Sequence, residues 1–296
     1  MRQPLIVLTC MRSYSSLVCG MLGQHPELYG MPELNLFVAE TVGGVIDVLT
    51  KIRPRSLDGL YRAVAQIECG GQDARGVERA IELTRGRRTW PAKRMLDHLG
   101  EAVAPRIWVD KSPSTVVNER ALENALRFYP DAHYLHLTRH PRPTCESIHT
   151  ITAKNATPNR GRRPATDKSE PERLWQRMNG DIVRLAGALA PGQYMHVRGE
   201  DILGDPHAFL RQICEWLDIR DDDVAIEAML HPEESPYAGI GPAAAPFGND
   251  PNFLRNPHFT RRPIPAASLE GPLSWRGDGG VFEERTAWLA RRFGYA

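Results

Sequence analysis

The chain has 296 residues, of which 42% are hydrophobic and 25% are charged, so its composition is that of a folded protein and not of a disordered one. Its 37 Lys and Arg residues nearly cancel its 36 Asp and Glu residues, which leaves a formal net charge of +1. This small charge argues against nucleic acid or a membrane surface as a partner, and any anion site must therefore be built locally. Five scattered cysteines without a CxxC pair, and the lack of a long apolar stretch, predict a cytoplasmic protein with reduced thiols.

Short apolar runs alternate with amphipathic segments along the chain. Residues Leu5–Cys10 predict a strand buried on both faces, the polar turn Arg12–Ser16 follows it, and the next predicted helix covers Leu17–Leu22. Further strands are predicted at residues 107–109, 134–138 and 194–197, and further helices at residues 116–128, 209–217 and 281–293. Strands that alternate with helices predict an α/β fold: a parallel sheet flanked by helices, opened by a P-loop-like strand–loop–helix unit.

Three segments interrupt this alternation within what we interpret as a single domain over residues 1–296. Residues 36–106 have the period of amphipathic helices and predict a helical cap inserted into the fold. Residues 154–173 are polar and charged and predict a loop. Residues 232–280 contain nine Pro and seven Gly in 49 positions, which predicts a long loop without regular structure that covers a functional site.

The turn Arg12–Ser16 is the first candidate for chemistry. Its backbone N–H groups and the N-terminus of the following helix would form a cradle for an anion, to which Arg12 adds charge and the serines add hydroxyl donors. Serine-rich turns also cap helices, so this turn alone does not separate an anion site from an ordinary cap. The turn lacks the glycines and the lysine of a Walker A loop, which argues against an ordinary ATP- or GTP-dependent kinase.

The second candidate is the segment Leu137–Ser147. Arg139 falls at the carboxyl end of a predicted strand, which is where α/β sheets bind ligands. If a helix begins near Pro143, Ser147 lies one turn into that helix, about 6 Å along its axis. Arg139 and Ser147 could then meet at one anion. The alternative is a surface arginine and a serine that faces solvent.

Together the two segments resemble the sulfotransferases that use 3′-phosphoadenosine 5′-phosphosulfate (PAPS), above all the bacterial enzymes and the tyrosylprotein sulfotransferases. The pattern Arg-Ser-x-Ser-Ser-Leu follows the first strand, and Arg-x-Pro-Arg-x-x-x-x-Ser follows a later one. Shorter stretches that resemble the same family are His25-Pro26-Glu27 with Pro32-Glu33, Asp110-Lys111-Ser112-Pro113, Tyr129–Ala132, Arg198–Leu203 with Asp205-Pro206, and Phe293-Gly294-Tyr295. The resemblance covers residues 3–35, 107–151 and 193–218.

The resemblance implies a role for each matched residue. The 5′-phosphosulfate would be held by Arg12, Ser13, Tyr14, Ser15, Ser16 and Leu17, with Lys111 on the opposite side; Tyr14 stands where the family usually has Gly. The 3′-phosphate would be bound by Arg139 and Ser147, and Arg276 belongs to a stretch that is similar to a loop closing over the nucleotide. Glu33 would be the base that takes the proton from the acceptor hydroxyl, with a histidine such as His98 as the alternative. The resemblance implies PAPS as co-substrate and no metal ion.

The predicted function is transfer of a sulfuryl group from PAPS to a hydroxyl of a small or carrier-bound metabolite, with residues 36–106 on the acceptor side. One alternative is an atypical P-loop kinase for a small molecule, which would need Mg²⁺ and a Walker lysine. The other alternative is a non-catalytic nucleotide-binding protein, which the absence of a base near the donor would favour.

Overall fold

A computed structural model describes residues 2–155, 170–261 and 264–296, with side chains described up to residue 153 before the first gap. The strands of these residues are β1 (Leu5–Thr9), β2 (Leu28–Gly30), β3 (Ile107–Asp110), β4 (His133–Thr138) and β5 (Tyr194–Arg198). The helices are α1 (Ser15–Leu22), α2 (Val42–Ile52), α3 (Asp58–Glu68), α4 (Ala74–Gly86), α5 (Ala92–Ala102), α6 (Ser114–Val117), α7 (Glu119–Phe128), α8 (Pro141–Asn155), α9 (Glu170–Ala186), α10 (Gly199–Gly204), α11 (Pro206–Trp216), α12 (Asp223–Ala228), α13 (Pro251–Arg255) and α14 (Glu284–Arg292).

The strands of the described residues form one parallel sheet with the order β2–β3–β1–β4–β5. The central strand β1 pairs with β4 over its whole length, from Leu5 opposite His133 to Thr9 opposite Leu137. On its other side β1 pairs with β3, where Leu5 lies opposite Val109. Because all strands run in the same direction, their carboxyl ends lie along one edge of the sheet, where ligands of such folds bind.

Helices cover both faces of the sheet. Ile6 and Leu8 of β1 belong to a core that includes side chains of α2–α9 and α14, whereas Leu5 and Val7 belong to a second core that includes α1, α11 and α12. Every residue of β1 is buried, as expected for a strand packed on both faces. Within the described residues we find no helix whose length and apolar character would let it cross a bilayer.

The predicted α/β fold is confirmed, and the four predicted strands correspond to β1, β3, β4 and β5. The sequence does not predict β2, because a strand of three residues is too short to show an alternating pattern. The helices expected in residues 36–106 are α2–α5; a 3-10 turn at Leu36–Val38 precedes α2, and another at Pro54–Leu57 joins α2 to α3.

Two loop predictions need correction. Within residues 232–280, Pro251–Arg255 forms the helix α13, because Asp250 caps its N-terminus and proline is favoured at the first helical position. A 3-10 turn also occurs at Pro232–Glu234. Of the predicted loop at 154–173, residues 156–169 lie outside the described residues, and α9 already begins at Glu170.

Candidate active site

The side chains singled out from the sequence lie along the carboxyl edge of the sheet. Arg12 follows β1, Lys111 follows β3, Arg139 follows β4, and Glu33 comes shortly after β2. Since the strand order is β2–β3–β1–β4, the order along the edge is Glu33, Lys111, the Arg12 turn and Arg139. The sheet therefore arranges a carboxylate at one end of a row and cations along the rest of it.

A cavity of about 530 Å³ opens beside the Arg12 turn and Arg139, whereas Glu33 and Lys111 do not line it. Its volume is in the range of small-molecule binding sites. The predicted donor-site residues that line it are Arg12, Ser13, Tyr14, Ser15, Ser16, Leu17, Arg139 and Ser147. The remaining lining residues are Leu203, Asp250, Asn252, Phe253, Asn256, His258 and Thr260.

We call residues Arg12–Leu17 the anion cradle, because the N-terminus of α1 meets the cavity there. The N-cap residue Tyr14 makes no side-chain capping hydrogen bond. Val18 N is the first amide to find a helical partner, Tyr14 O at 3.0 Å, so the amides of residues 15–17 have none within the helix. Ser13 Oγ is buried and has no hydrogen-bond partner in the part of the chain that the structure describes. These N–H and O–H donors, at the positive end of the helix dipole, suit a phosphate or sulfate group.

Arg12 is held between two partners from distant parts of the chain. Its Nε donates to Ser147 Oγ at 2.9 Å, and its Nη1 forms an ion pair with the Asp250 carboxylate. Burial lowers the pKa of Arg12, and the positive charge of Arg139 lowers it further. The guanidinium nevertheless remains charged, as it does in all proteins. Arg12 therefore lies beside Ser147 and Arg139, the two residues that the sequence analysis predicts at a single anion.

Lys111 is fully buried, and three oxygen atoms surround its ammonium group. Its Nζ donates to Glu33 Oε1 at 2.6 Å, to Ser16 Oγ at 2.9 Å and to Asn249 Oδ1 at 3.3 Å. Ser16 Oγ also accepts a hydrogen bond from Asp250 N at 3.0 Å. With two donors directed at its oxygen, the Ser16 hydroxyl keeps its own proton to donate. Lys111 thus connects Glu33 directly to the anion cradle.

A second buried carboxyl group, Asp110, precedes Lys111. Its Oδ1 accepts a hydrogen bond from Ser112 Oγ at 3.0 Å, whereas Oδ2 is buried without a partner among the described residues. Burial raises the pKa of Asp110 to about 7, although the Ser112 hydrogen bond and the charge of Lys111 oppose the rise. Ser112 Oγ also accepts from Asn35 N at 3.0 Å, which ties this carboxyl to the segment that carries Glu33.

Arg139 lies against the cradle from the β4 side. Its Nη1 donates to Arg12 O at 2.8 Å, and its central guanidinium carbon lies 4.4 Å from the centre of the Tyr14 ring. Its Nε is buried and has no hydrogen-bond partner among the residues that the structure describes. This leaves an N–H donor beside the cavity for an anion.

Two of the matched stretches support the turn between β4 and α8. Glu200 Oε1 accepts from His140 N at 2.9 Å, and Tyr295 O–H donates to Glu200 Oε2 at 3.0 Å. Arg198 forms a two-pronged ion pair with Asp201, with N–O distances of 2.6 and 2.7 Å. The contacts of Glu200 and Tyr295 hold the residue that follows Arg139, and neither of these two side chains lines the cavity.

Four candidate residues do not line the cavity: Glu33 and Lys111, which reach the cradle through Ser16, and Arg276 and His98, which do not. Arg276 lies 3.6 Å from the buried Glu172 carboxylate and donates to Val281 O at 3.3 Å, which ties its loop to α9. This differs from the predicted contact of Arg276 with the nucleotide, because the buried carboxylate attracts the guanidinium away from the cavity. His98 lies on α5, 3.4 Å from the Glu68 carboxylate, and likewise does not line the cavity.

The residues that the sequence did not predict come mainly from the Pro/Gly-rich segment. Asn249 contacts Lys111, and Asp250 contacts both Arg12 and Ser16. The segment is fixed there because Glu33 N donates to Gly248 O at 2.7 Å. A signal was present: an aspartate followed by proline is typical of a helix start, within a stretch already expected to cover a site.

Known proteins match the chain over most of its length. The family described as "Sulfotransferase family" matches residues 4–223. No curated protein matches the chain. The sulfotransferase domain of the Synechococcus PCC 7002 olefin synthase is 28% identical, with a TM-score of 0.76 over 100% of this chain and 97% of that one.

Two further solved structures are more distant in sequence. The sulfotransferase domain from the curacin biosynthetic pathway is 23% identical, with a TM-score of 0.76 over 100% of this chain and 99% of that one. A sulfotransferase from Mycobacterium tuberculosis H37Rv is 16% identical, with a TM-score of 0.50 over 78% and 71% of the two chains. These two share the fold. Because the family match spans the sheet edge with Arg12, Glu33, Lys111 and Arg139, the chain belongs to the sulfotransferase family.

Proposed function

We propose that this sulfotransferase moves a sulfuryl group from PAPS to a hydroxyl group of a small or carrier-bound metabolite. The observation that carries the proposal is the row of Glu33, Lys111, the anion cradle and Arg139 along one edge of the sheet, in which the cradle and Arg139 line a cavity and Lys111 connects Glu33 to the cradle. Such a row offers separate places for two anionic groups and a carboxylate next to one of them. PAPS has two such anionic groups, and an acceptor hydroxyl needs such a carboxylate.

On the donor side, the anion cradle takes the 5′-phosphosulfate, and Arg139 and Ser147 take the 3′-phosphate. Donor groups without partners among the described residues support this assignment: Ser13 Oγ in the cradle and Arg139 Nε beside it. Buried donors of this kind are costly unless a ligand satisfies them. A nucleotide that carries phosphate at both its 5′ and 3′ positions would satisfy both sets.

On the acceptor side, Glu33 takes the proton. Lys111 holds Oε1 of Glu33 at 2.6 Å, and we assign proton acceptance to Oε2. The acceptor oxygen forms a bond to sulfur while the bond from sulfur to the bridging phosphate oxygen breaks. Negative charge then builds on the leaving nucleotide, and the charges of Arg12 and Lys111, together with the amides of α1, stabilise it.

The family assignment decides between the sulfotransferase and the kinase hypotheses. A kinase of the P-loop type would also need the Walker lysine, which the cradle lacks. The non-catalytic alternative predicts no base beside the donor site. The contact of Glu33 with Lys111, which itself contacts the cradle, argues against that alternative.

The place for the acceptor follows from the position of Glu33 at the β2 end of the row. The helix α3 packs directly on this segment: a Cβ atom on Gly59 would come within 2.2 Å of Glu33 O. We therefore assign the helices of residues 36–106 to the acceptor side. Carrier-bound hydroxyls are included because two similar structures are domains from an olefin synthase and from a biosynthetic pathway.

The test uses sulfur-labelled PAPS and one hydroxyacyl group offered in three forms: free acid, coenzyme A thioester and acyl-carrier-protein thioester. We expect label transfer that EDTA does not reduce and that Glu33→Gln nearly abolishes. ATP in place of PAPS serves as the kinase arm, in which no transfer is expected. Transfer from ATP that EDTA abolishes would overturn the proposal. Sulfation of none of the three forms would overturn its hydroxyacyl part.

A further inference from the structure

Tyr14 has a backbone conformation that is unfavourable for a bulky side chain. Its φ of 62° and ψ of 8° place it in the left-handed region, which few residues other than glycine adopt. Glycine adopts this conformation without strain, because it has no Cβ atom. A tyrosine persists in this conformation only where contacts of its side chain offset the backbone strain.

The Tyr14 ring is enclosed between two elements. On one side it lies under the Arg139 guanidinium, whose central carbon is 4.4 Å from the ring centre. The ring also packs on the start of α10, where a Cβ atom on Gly199 would come within 2.8 Å of Tyr14 Cδ2. Only a glycine at 199 leaves room for the ring in this position.

We infer that Tyr14 is a positioning residue for the nucleotide: its ring, braced on Gly199, holds the Arg139 guanidinium for the 3′-phosphate. The inference rests on the proposed function and deepens it, because it names what sets the selectivity for a 3′-phosphorylated donor. The fixed guanidinium sits at the C-terminal end of β4, beside the cavity.

The geometry leaves the binding capacity of Arg139 intact. A ring under a guanidinium uses its face, whereas hydrogen bonds to phosphate use the N–H groups at its edge. One edge position, Nη1, is fixed by the carbonyl of Arg12, and Nε is buried without a partner among the described residues. An arginine held in this way loses less side-chain freedom when it binds phosphate than a freely moving one does.

The experiment compares the affinities for 3′-phosphoadenosine 5′-phosphate and for 5′-AMP, measured by calorimetric titration. The ratio of the two dissociation constants is the 3′-phosphate preference. The variants are Tyr14→Phe, which keeps the ring, and Tyr14→Gly and Tyr14→Asn, which remove it and tolerate a positive φ. Gly199→Ala adds a methyl group that would clash with the Tyr14 ring. The double variant Tyr14→Gly with Gly199→Ala completes a double-mutant cycle, which shows whether Gly199→Ala acts through the ring.

We expect Tyr14→Gly and Tyr14→Asn to reduce the preference by about 2- to 30-fold, the range of a cation–π contact. Tyr14→Phe should retain the wild-type preference, because it keeps the ring. Gly199→Ala should reduce the preference in the wild-type background. In the Tyr14→Gly background, which has no ring, Gly199→Ala should have no further effect. Unchanged preference in both ring-less variants, or a loss in Tyr14→Phe as large as in Tyr14→Gly, would overturn the inference alone. Equal affinity of the wild-type protein for the two nucleotides would overturn the proposed donor as well.

Discussion

Asp250 places a negative charge inside a site that we propose binds anions. Its carboxylate pairs with Arg12, and both side chains are largely buried: the Arg12 side chain is 17% exposed and the Asp250 side chain 28% exposed. Asp250 also caps α13 by accepting from Asn252 N at 2.9 Å. The variant Asp250→Asn removes the charge, while asparagine keeps the cap and the backbone N–H that bonds Ser16. We predict that this variant binds 3′-phosphoadenosine 5′-phosphate more tightly than the wild type does.

The magnitude follows from the charges around the cradle. Two unit charges 4 Å apart interact by about 4 kcal/mol at an effective dielectric constant of about 20. An ion pair that is exposed to solvent stabilises a protein by only about 1 kcal/mol or less. The partly buried Asp250 lies between these limits, so we expect a gain of about 1–2 kcal/mol, or roughly 5- to 30-fold in affinity. Without ligand, the variant leaves Arg12 beside Arg139 and without its carboxylate partner, so its melting temperature should fall and then rise more on nucleotide binding.

Calorimetric titration at fixed ionic strength measures this affinity, and thermal melting with and without nucleotide measures the second effect. Asp73→Asn is the matched control, because Asp73 caps α4 by accepting from Gly76 N at 2.7 Å and does not line the cavity. The control should bind nucleotide as the wild type does. Weaker binding by Asp250→Asn would refute the reasoning, since Asp250 would then hold Arg12 in its binding geometry instead of competing with the ligand.

Three further predictions concern the rest of the row. Glu33→Gln should lower kcat by roughly 10²–10⁴-fold and barely change nucleotide affinity, and steady-state kinetics within about threefold of wild type would show that Glu33 is not the base. Arg139→Ala should remove most of the preference for a 3′-phosphorylated nucleotide and Ser147→Ala a smaller share, because a hydrogen bond to a charged group is worth about 1.5–3 kcal/mol. If calorimetry shows that a variant loses as much affinity for 5′-AMP as for 3′-phosphoadenosine 5′-phosphate, the assignment of that residue is wrong. Burial raises the pKa of Asp110 in the folded protein from 3.8 to about 7, so folding disfavours its charged form, and stability should fall as the pH rises from about 4 to 7. Asp110→Asn should flatten that fall in denaturant titrations, and parallel pH curves for variant and wild type would contradict it.

The sequence predicts those parts of the site that follow a recognisable strand. The strand before Arg12 is a mostly apolar run, and the strand before Arg139 is rich in large hydrophobic and aromatic residues, so both arginines could be assigned to the ligand-binding edge of a parallel sheet. Glu33 could be assigned only through the family resemblance. The strand before it, β2, has three residues and shows no period.

Contacts between distant, irregular segments could not be predicted. Asp250 is 238 positions from Arg12. The Asp-Pro pair indicates a helix start within the Pro/Gly-rich stretch, but it does not indicate that this side chain reaches the cradle. Arg276 is a different case: a local resemblance predicts a ligand contact, and in this structure its guanidinium lies 3.6 Å from the buried carboxylate of Glu172, so the ligand contact stays a prediction. The packing of Tyr14 between Arg139 and Gly199 likewise depends on three segments that only the sheet brings together.

The most direct test of the donor assignment is a crystal structure with 3′-phosphoadenosine 5′-phosphate bound. We expect the 5′-phosphate at the amides of residues 15–17 beside Arg12, and the 3′-phosphate within hydrogen-bond distance of Arg139 and Ser147. We also expect that the Asp250 carboxylate no longer contacts Arg12. A nucleotide bound with its 3′-phosphate away from Arg139, or bound outside the cavity, would contradict the donor assignment.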